Sequence, residues 1–152
     1  MPMPSTYRLA SKEWSAILAD AKDRMNLVSD NSAYTAIDAV LQVFRRRLSA
    51  QEGLDFASAL PVVPRGIFVK DWQVANDPPP FGSRAALTAE AKAVRPNHNL
   101  TPDDAIEAVA WALRRSLDQR DLDRVLARIG PEAAAYWRVE VADPRELDRR
   151  IL

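Results

Sequence analysis

The sequence contains no cysteine. That excludes disulfides, thiolate nucleophiles and thiolate metal sites, and it suits a reducing cytoplasm, which is the expected location. Histidine is almost as scarce. The single one, His98, stands in the run Arg95-Pro96-Asn97-His98-Asn99, which reads as a solvent-exposed loop, and any histidine-assisted nucleophile would have to work through it. No serine has the surroundings of a nucleophile elbow. Borderline metals want several histidines or thiolates, so neither a metal nor another cofactor is expected. The four glycines, Gly53, Gly66, Gly82 and Gly130, are scattered singly and spell out no phosphate-cradling loop. An excess of one charge is missing too. Lys and Arg total 21 and Asp and Glu total 21, which removes the whole-molecule field that steers a protein to nucleic acid or anionic membrane. No apolar run is long enough for a span, and the opening Met1-Pro2-Met3-Pro4-Ser5-Thr6-Tyr7-Arg8 lacks the apolar stretch of a signal peptide, so no membrane partner is expected. Period-two alternation of useful length is absent, so no sheet is placed.

What the chain does contain is a match to itself in one fixed register. Ala36-Ile37-Asp38-Ala39-Val40 returns as Ala105-Ile106-Glu107-Ala108-Val109, and Arg45-Arg46-Arg47-Leu48 returns as Arg114-Arg115-Ser116-Leu117, with no gap between them. Downstream, Phe56, Ala57 and Leu60 fall opposite Val125, Leu126 and Ile129, and Ile67-Phe68 opposite Tyr136-Trp137. Ile37, Val40, Leu41, Phe44 and Leu48, like Ile106, Val109, Leu113 and Leu117, keep the three-and-four spacing of a helix face. Alanines at 36, 39, 105, 108, 110 and 112 widen each stripe almost around the cylinder, which places these two helices at the centre. The expected architecture is all-α: a single compact helical bundle, one domain over residues 1–152, built from two pseudo-symmetric repeats of about four helices each plus a short C-terminal helix. Repeat one is placed at about 11–69, a linker at about 70–82, repeat two at about 83–139 and the last helix at about 143–152.

Punctuation supports that division. Ser49 with Glu52, and Asp118 with Asp121, read as helix starts at which a side-chain oxygen accepts from free backbone N–H groups. Thr101-Pro102-Asp103-Asp104 reads as another, with Ser32 in the corresponding place of the first copy. Gly130-Pro131 and Leu60-Pro61 break each copy before a short helix with partial 3₁₀ character. Ahead of each central helix lies an amphipathic one, with Trp14, Ile17, Leu18, Ala21 and Met25 on one face in the first copy and the weaker Ala86, Leu87, Ala91 and Val94 in the second. Asp77-Pro78-Pro79-Pro80-Phe81-Gly82 runs extended. Asp143-Pro144-Arg145-Glu146 starts the last helix, which carries Leu147 and Ile151 onto the core.

Two groups of residues stand out as candidate sites. Arg120, Arg124 and Arg128 recur every four residues and line one helical face, an arrangement that can grip phosphate or an acidic partner, although interleaved aspartates also fit an ordinary solvated face. The second group marks places where the copies diverge: Arg65, Phe68 and Trp72, with Trp137 of the second copy across the seam, could line a ligand pocket. Trp14 and Trp111 read as core. The carboxylates Asp103, Asp104, Glu107, Asp121 and Asp123 sit in first helical turns, where acids are expected for dipole and capping reasons.

The run Ala33–Leu48, followed by Ala59-Leu60-Pro61, Arg65-Gly66-Ile67-Phe68 and Trp72, resembles the bacterial domain-of-unknown-function family 2267, and the second copy is similar to that family's second half. The resemblance covers most of the chain and implies an all-helical duplicated fold with no assigned activity. Gln42 stands where members often have histidine, and Asp71 where a glycine often precedes the tryptophan. The leading expectation is a non-enzymatic interaction module, with another protein or a second copy of the chain as partner. The alternatives are a small-ligand or lipid-binding domain with its pocket at the inter-repeat seam, and a phosphate or nucleic-acid contact through the arginine stripe.

Overall fold

The computed structural model describes residues 1–96 and 101–152; His98 lies outside them. The described chain is all-helical. Its helices are α1 (Ser5–Arg8), α2 (Ala10–Met25), α3 (Asp30–Arg45), α4 (Ala50–Ala59), α5 (Val62–Val69), α6 (Arg84–Ala93), α7 (Ala105–Arg114), α8 (Gln119–Ile129) and α9 (Pro131–Tyr136), followed by a 3₁₀ turn at Pro144–Leu147. No helix among the described residues is long and apolar enough to cross a membrane.

Helix starts follow from the need to satisfy the first backbone N–H groups. Ahead of α4 the Ser49 hydroxyl accepts from the Glu52 amide at 3.2 Å while the Glu52 carboxylate accepts from the Ser49 amide at 2.8 Å, the reciprocal box that the sequence spells out. Asp118 accepts from Arg120 and Asp121 ahead of α8. Gly130 ends α8 at a φ of +147°, where a Cβ is strained, and Pro131 opens α9. Other starts differ from the sequence reading. At α3 the cap is Ser29, whose hydroxyl accepts from the Ser32 amide at 3.1 Å, so Ser32 is the donor and not the cap. At α7 the helix begins at Ala105: Thr101 is buried, the Ala105 amide closes a turn onto the Pro102 carbonyl, and Asp103 pairs with Lys92 of α6 instead of capping.

α5 and α9 are α-helical, and 3₁₀ geometry falls in the last element instead. That element ends at Leu147, which docks on the core, while Ile151 is exposed. The reason is a competing bond: the Arg150 amide donates to the Arg115 carbonyl at 2.7 Å rather than continuing a helix. Along α6 the buried residues are Leu87, Thr88 and Ala91, and Ala86 faces solvent. Trp14 is half-buried rather than fully in the core.

α3 and α7 take the central places. α3 packs against α2, α5, α6 and α7; α2 also lies on α7, and α4 lies on α8. α2 thus rests on α7, and α6 on α3. Eight of the sixteen residues of α3 are buried, Ala33, Ala36, Ala39 and Val43 among them, and small side chains are what let several neighbours approach one helix. At one end an aromatic cluster fills the space. Phe44 lies 4.7 Å from Phe56, 5.1 Å from Tyr136 and 5.4 Å from Trp137 between ring centroids. The buried Tyr136 hydroxyl donates to the Val40 carbonyl at 2.7 Å.

Arginines tie the helix ends to this core. Arg45 donates to the Phe68 carbonyl at 2.8 Å, and Arg114, its partner in the self-match, donates at 2.8 Å to the carbonyl of Trp137, the partner of Phe68. Arg47, nearly buried, pairs with both carboxylate oxygens of Glu90 at 2.6 and 2.7 Å.

Two backbone positions generate predictions. A Cβ placed at Gly53 on α4 would overlap the outer ring atoms of Trp72. Gly53→Ala gains roughly 1 kcal/mol of helix propensity but should lift the indole off α4, with a net loss of about 1 kcal/mol. Urea denaturation with tryptophan emission checks this, and a more stable variant with unchanged emission refutes it. Asp71 has a φ of +57°, so Asp71→Gly should raise stability by roughly 0.5–1 kcal/mol, read from the same denaturation curves.

Candidate functional site

The seam residues anticipated from sequence are held in different environments. Phe68 and Trp137 are fully buried on opposite sides of Phe56, at centroid distances of 5.0 and 5.4 Å, and so belong to the aromatic core. Trp72 is half-buried, packs on Phe68 at 5.5 Å and covers Gly53. Arg65 turns the other way, donating through Nε to the Ala57 carbonyl at 2.9 Å and through Nη2 to the Leu60 carbonyl at 3.0 Å, where it satisfies the free C-terminal carbonyls of α4. Arg120, Arg124 and Arg128 are exposed on α8. Arg124 pairs with Asp121 at 3.1 Å, and no ion pair is seen for Arg120 or Arg128 among the described residues.

Arg65 instead forms part of a cavity of about 150 Å³ between the α4–α5 turn and the α7–α8 turn. The two halves of the chain meet there. Its lining comes from Leu60, Pro61 and Val62, from Ser116, Leu117, Asp118 and Asp121, and from Glu13 of α2 with Thr6 and Arg149. A neighbouring cavity of about 300 Å³ shares Thr6, Glu13 and Arg149.

Two of these groups are unusual in being polar and buried. Glu13 retains only 7 % of its exposure. Burial pushes its pKa above the ordinary carboxylate value, while the Val62 backbone amide and the guanidinium groups of Arg149 and Arg65 pull it back. Ser116 retains 4 %, and its hydroxyl has no hydrogen-bond partner within the protein. At the rim, Asp118 is occupied with capping α8, and the amides it accepts from hold its pKa below the usual range.

Sequence reasoning passed over both buried groups, although each left a signal. Glu13 lies four residues before Ile17 and eight before Ala21, on the buried stripe of α2, so a carboxylate occupied a core position. Ser116 is the one departure in the match of Arg45-Arg46-Arg47-Leu48 to Arg114-Arg115-Ser116-Leu117. Where Arg47 reaches out to Glu90, Ser116 has no side-chain atom beyond its hydroxyl. Gln42 donates to Asp38 at 2.9 Å in a separate surface groove of about 360 Å³ that also contains Arg45 and Lys70.

Helix packing and this cavity together define an all-helical protein with a small polar cavity where its halves meet. The sequence profile of the family described as "Uncharacterized conserved protein (DUF2267)" matches residues 14–136. This is most of the chain, which therefore belongs to that family. No curated protein matches the sequence.

The buried carboxylate has a testable signature. A carboxyl whose folded pKa is raised binds its proton more readily when folded, so its contribution is fully present below the unfolded value of about 4.5 and is lost as pH rises through the folded pKa. Glu13→Gln, which cannot ionise, should therefore melt above the wild type at neutral pH, with an advantage that shrinks toward pH 4.5. Thermal melts at both ends of that window measure it; an advantage that grows on acidification contradicts the assignment.

Proposed function

We propose that this protein is a binding module without covalent chemistry, whose ligand is a small polar molecule held where the α4–α5 and α7–α8 turns meet. The observation that supports it is the presence of Glu13 and the unpartnered Ser116 hydroxyl on the walls of one cavity. Buried polar groups cost free energy unless compensated, and their convergence on a concave site is a mark of recognition. Arg65, whose position is set by the carbonyls that close α4, adds a fixed positive charge. The setting we propose is the reducing cytoplasm of a bacterium, in keeping with the absence of cysteine.

A second reading is favoured by a separate observation. Arg120, Arg124 and Arg128 share the outer face of α8 and are all exposed, which suits an interaction with an acidic surface of a partner protein.

The first reading is tested by ligand-observed NMR with mixtures of amino acids, small polyols and small carboxylates, followed by amide shifts in labelled protein. Binders should move the amides of Val62, Ser116 and Leu117. Ser58→Phe, at an exposed rim position, should abolish those shifts while leaving the melting temperature unchanged. Mixtures that move none of these amides, or binders indifferent to Ser58→Phe, would sink the reading.

A further inference from the structure

The charges around the cavity restrict what can enter it. Glu13 presents a buried carboxylate, and the less buried Asp118 and Asp121 also line the cavity. Arg65 and Arg149 present guanidinium groups close enough to act on that carboxylate. Arg65 has two nitrogens committed to main-chain carbonyls, which orients the group and leaves its charge without a carboxylate bonded to it. A simple anion would be drawn to the arginines but set against Glu13; a simple cation would meet the reverse conflict. A molecule bearing both signs meets neither. The unpartnered Ser116 hydroxyl can donate or accept, and Leu60 and Leu117, both nearly buried, offer a little apolar wall.

Size narrows the choice further. About 150 Å³ suits a ligand of roughly six to ten non-hydrogen atoms, since an apolar cavity of similar volume holds benzene. We propose that the cavity binds a small zwitterion of the α-amino acid type, with its ammonium toward Glu13 and Ser116 and its carboxylate toward Arg65 and Arg149. This rests on the binding-module reading above and adds the chemical class of the ligand. Ser116 adds a group independent of charge: it is among the residues lining the same cavity, and its buried hydroxyl, without a partner in the protein, has only to turn toward the ligand to meet it.

The test is an amide-shift titration of the full chain with glycine and L-alanine, set beside acetate and methylammonium, which each carry one of the two charges, and glycerol, which carries none. L-Alanine should move the Val62 and Ser116 amides saturably, and the two half-ligands should bind at least about tenfold more weakly. Glu13→Gln should weaken L-alanine while improving acetate relative to it. Arg149→Ala, an exposed position that leaves the core intact, should do the opposite for methylammonium. If L-alanine and glycine leave those amides unmoved while glycerol or acetate moves them, the ligand class is wrong and the binding reading stands. If none of the five moves them and the wider mixtures also fail, both fall.

Discussion

The structure depends on two central helices, α7, of which nine of ten residues are buried, and α3, of which eight of sixteen are. On their packed faces the neighbours can approach only as closely as the side chains permit. Alanine and valine at most α3 contact positions, and alanines at 105, 108, 110 and 112 of α7, meet that requirement. Near the end of α3 Phe44 enters the aromatic cluster, and on α7 Trp111 is buried beneath two arginines. There Arg24 and Arg115 lie 4.9 and 4.8 Å from the Trp111 ring centroid, and its indole donates to Glu146 at 2.9 Å. That indole bond, together with the bond from Gln119 to the Leu147 carbonyl, fastens the C-terminal segment across α7.

A rod so enclosed must have its connecting turns secured from outside, and arginine does this repeatedly. Arg45, Arg65, Arg84 and Arg114 all donate to main-chain carbonyls near helix C-termini. The planar guanidinium suits this role because it can reach several acceptors with one rigid group while its stem packs on apolar surface. Arginine in this protein therefore serves architecture more than surface charge, and the family's lack of an assigned activity is no sign that its charged residues are idle. The Arg47–Glu90 pair extends the pattern to a carboxylate, whose pKa the two arginines on it hold below the ordinary range.

Against that background the cavity at the α4–α5 and α7–α8 turns stands apart. There two buried polar residues, Glu13 and Ser116, line a cavity together with two guanidinium groups. Carrying Glu13 ionised at a buried position costs stability, and such a cost persists at functional positions more often than at structural ones.

Helix type, the central pair and most caps were legible because each depends on local chemistry. The three-and-four spacing of apolar residues, an oxygen three residues ahead of an acid, and a proline after a glycine act over a single turn whatever the tertiary context. The start at Ala105 was misplaced because Asp103 is drawn to Lys92 of α6, a residue of another helix; the start at Ser29 rests on a local bond from the Ser32 amide, and two serines three apart offered the same cap chemistry. The residues anticipated at the seam are separated by packing: Phe68 and Arg65 fall on different sides of α5, so that Phe68 joins Trp137, which follows α9, in the core while Arg65 reaches the carbonyls of α4. Periodicity can say that a residue is buried; only the packed chain decides whether it meets other carbon, a carbonyl or a cavity, because those neighbours come from parts of the sequence far removed along the backbone.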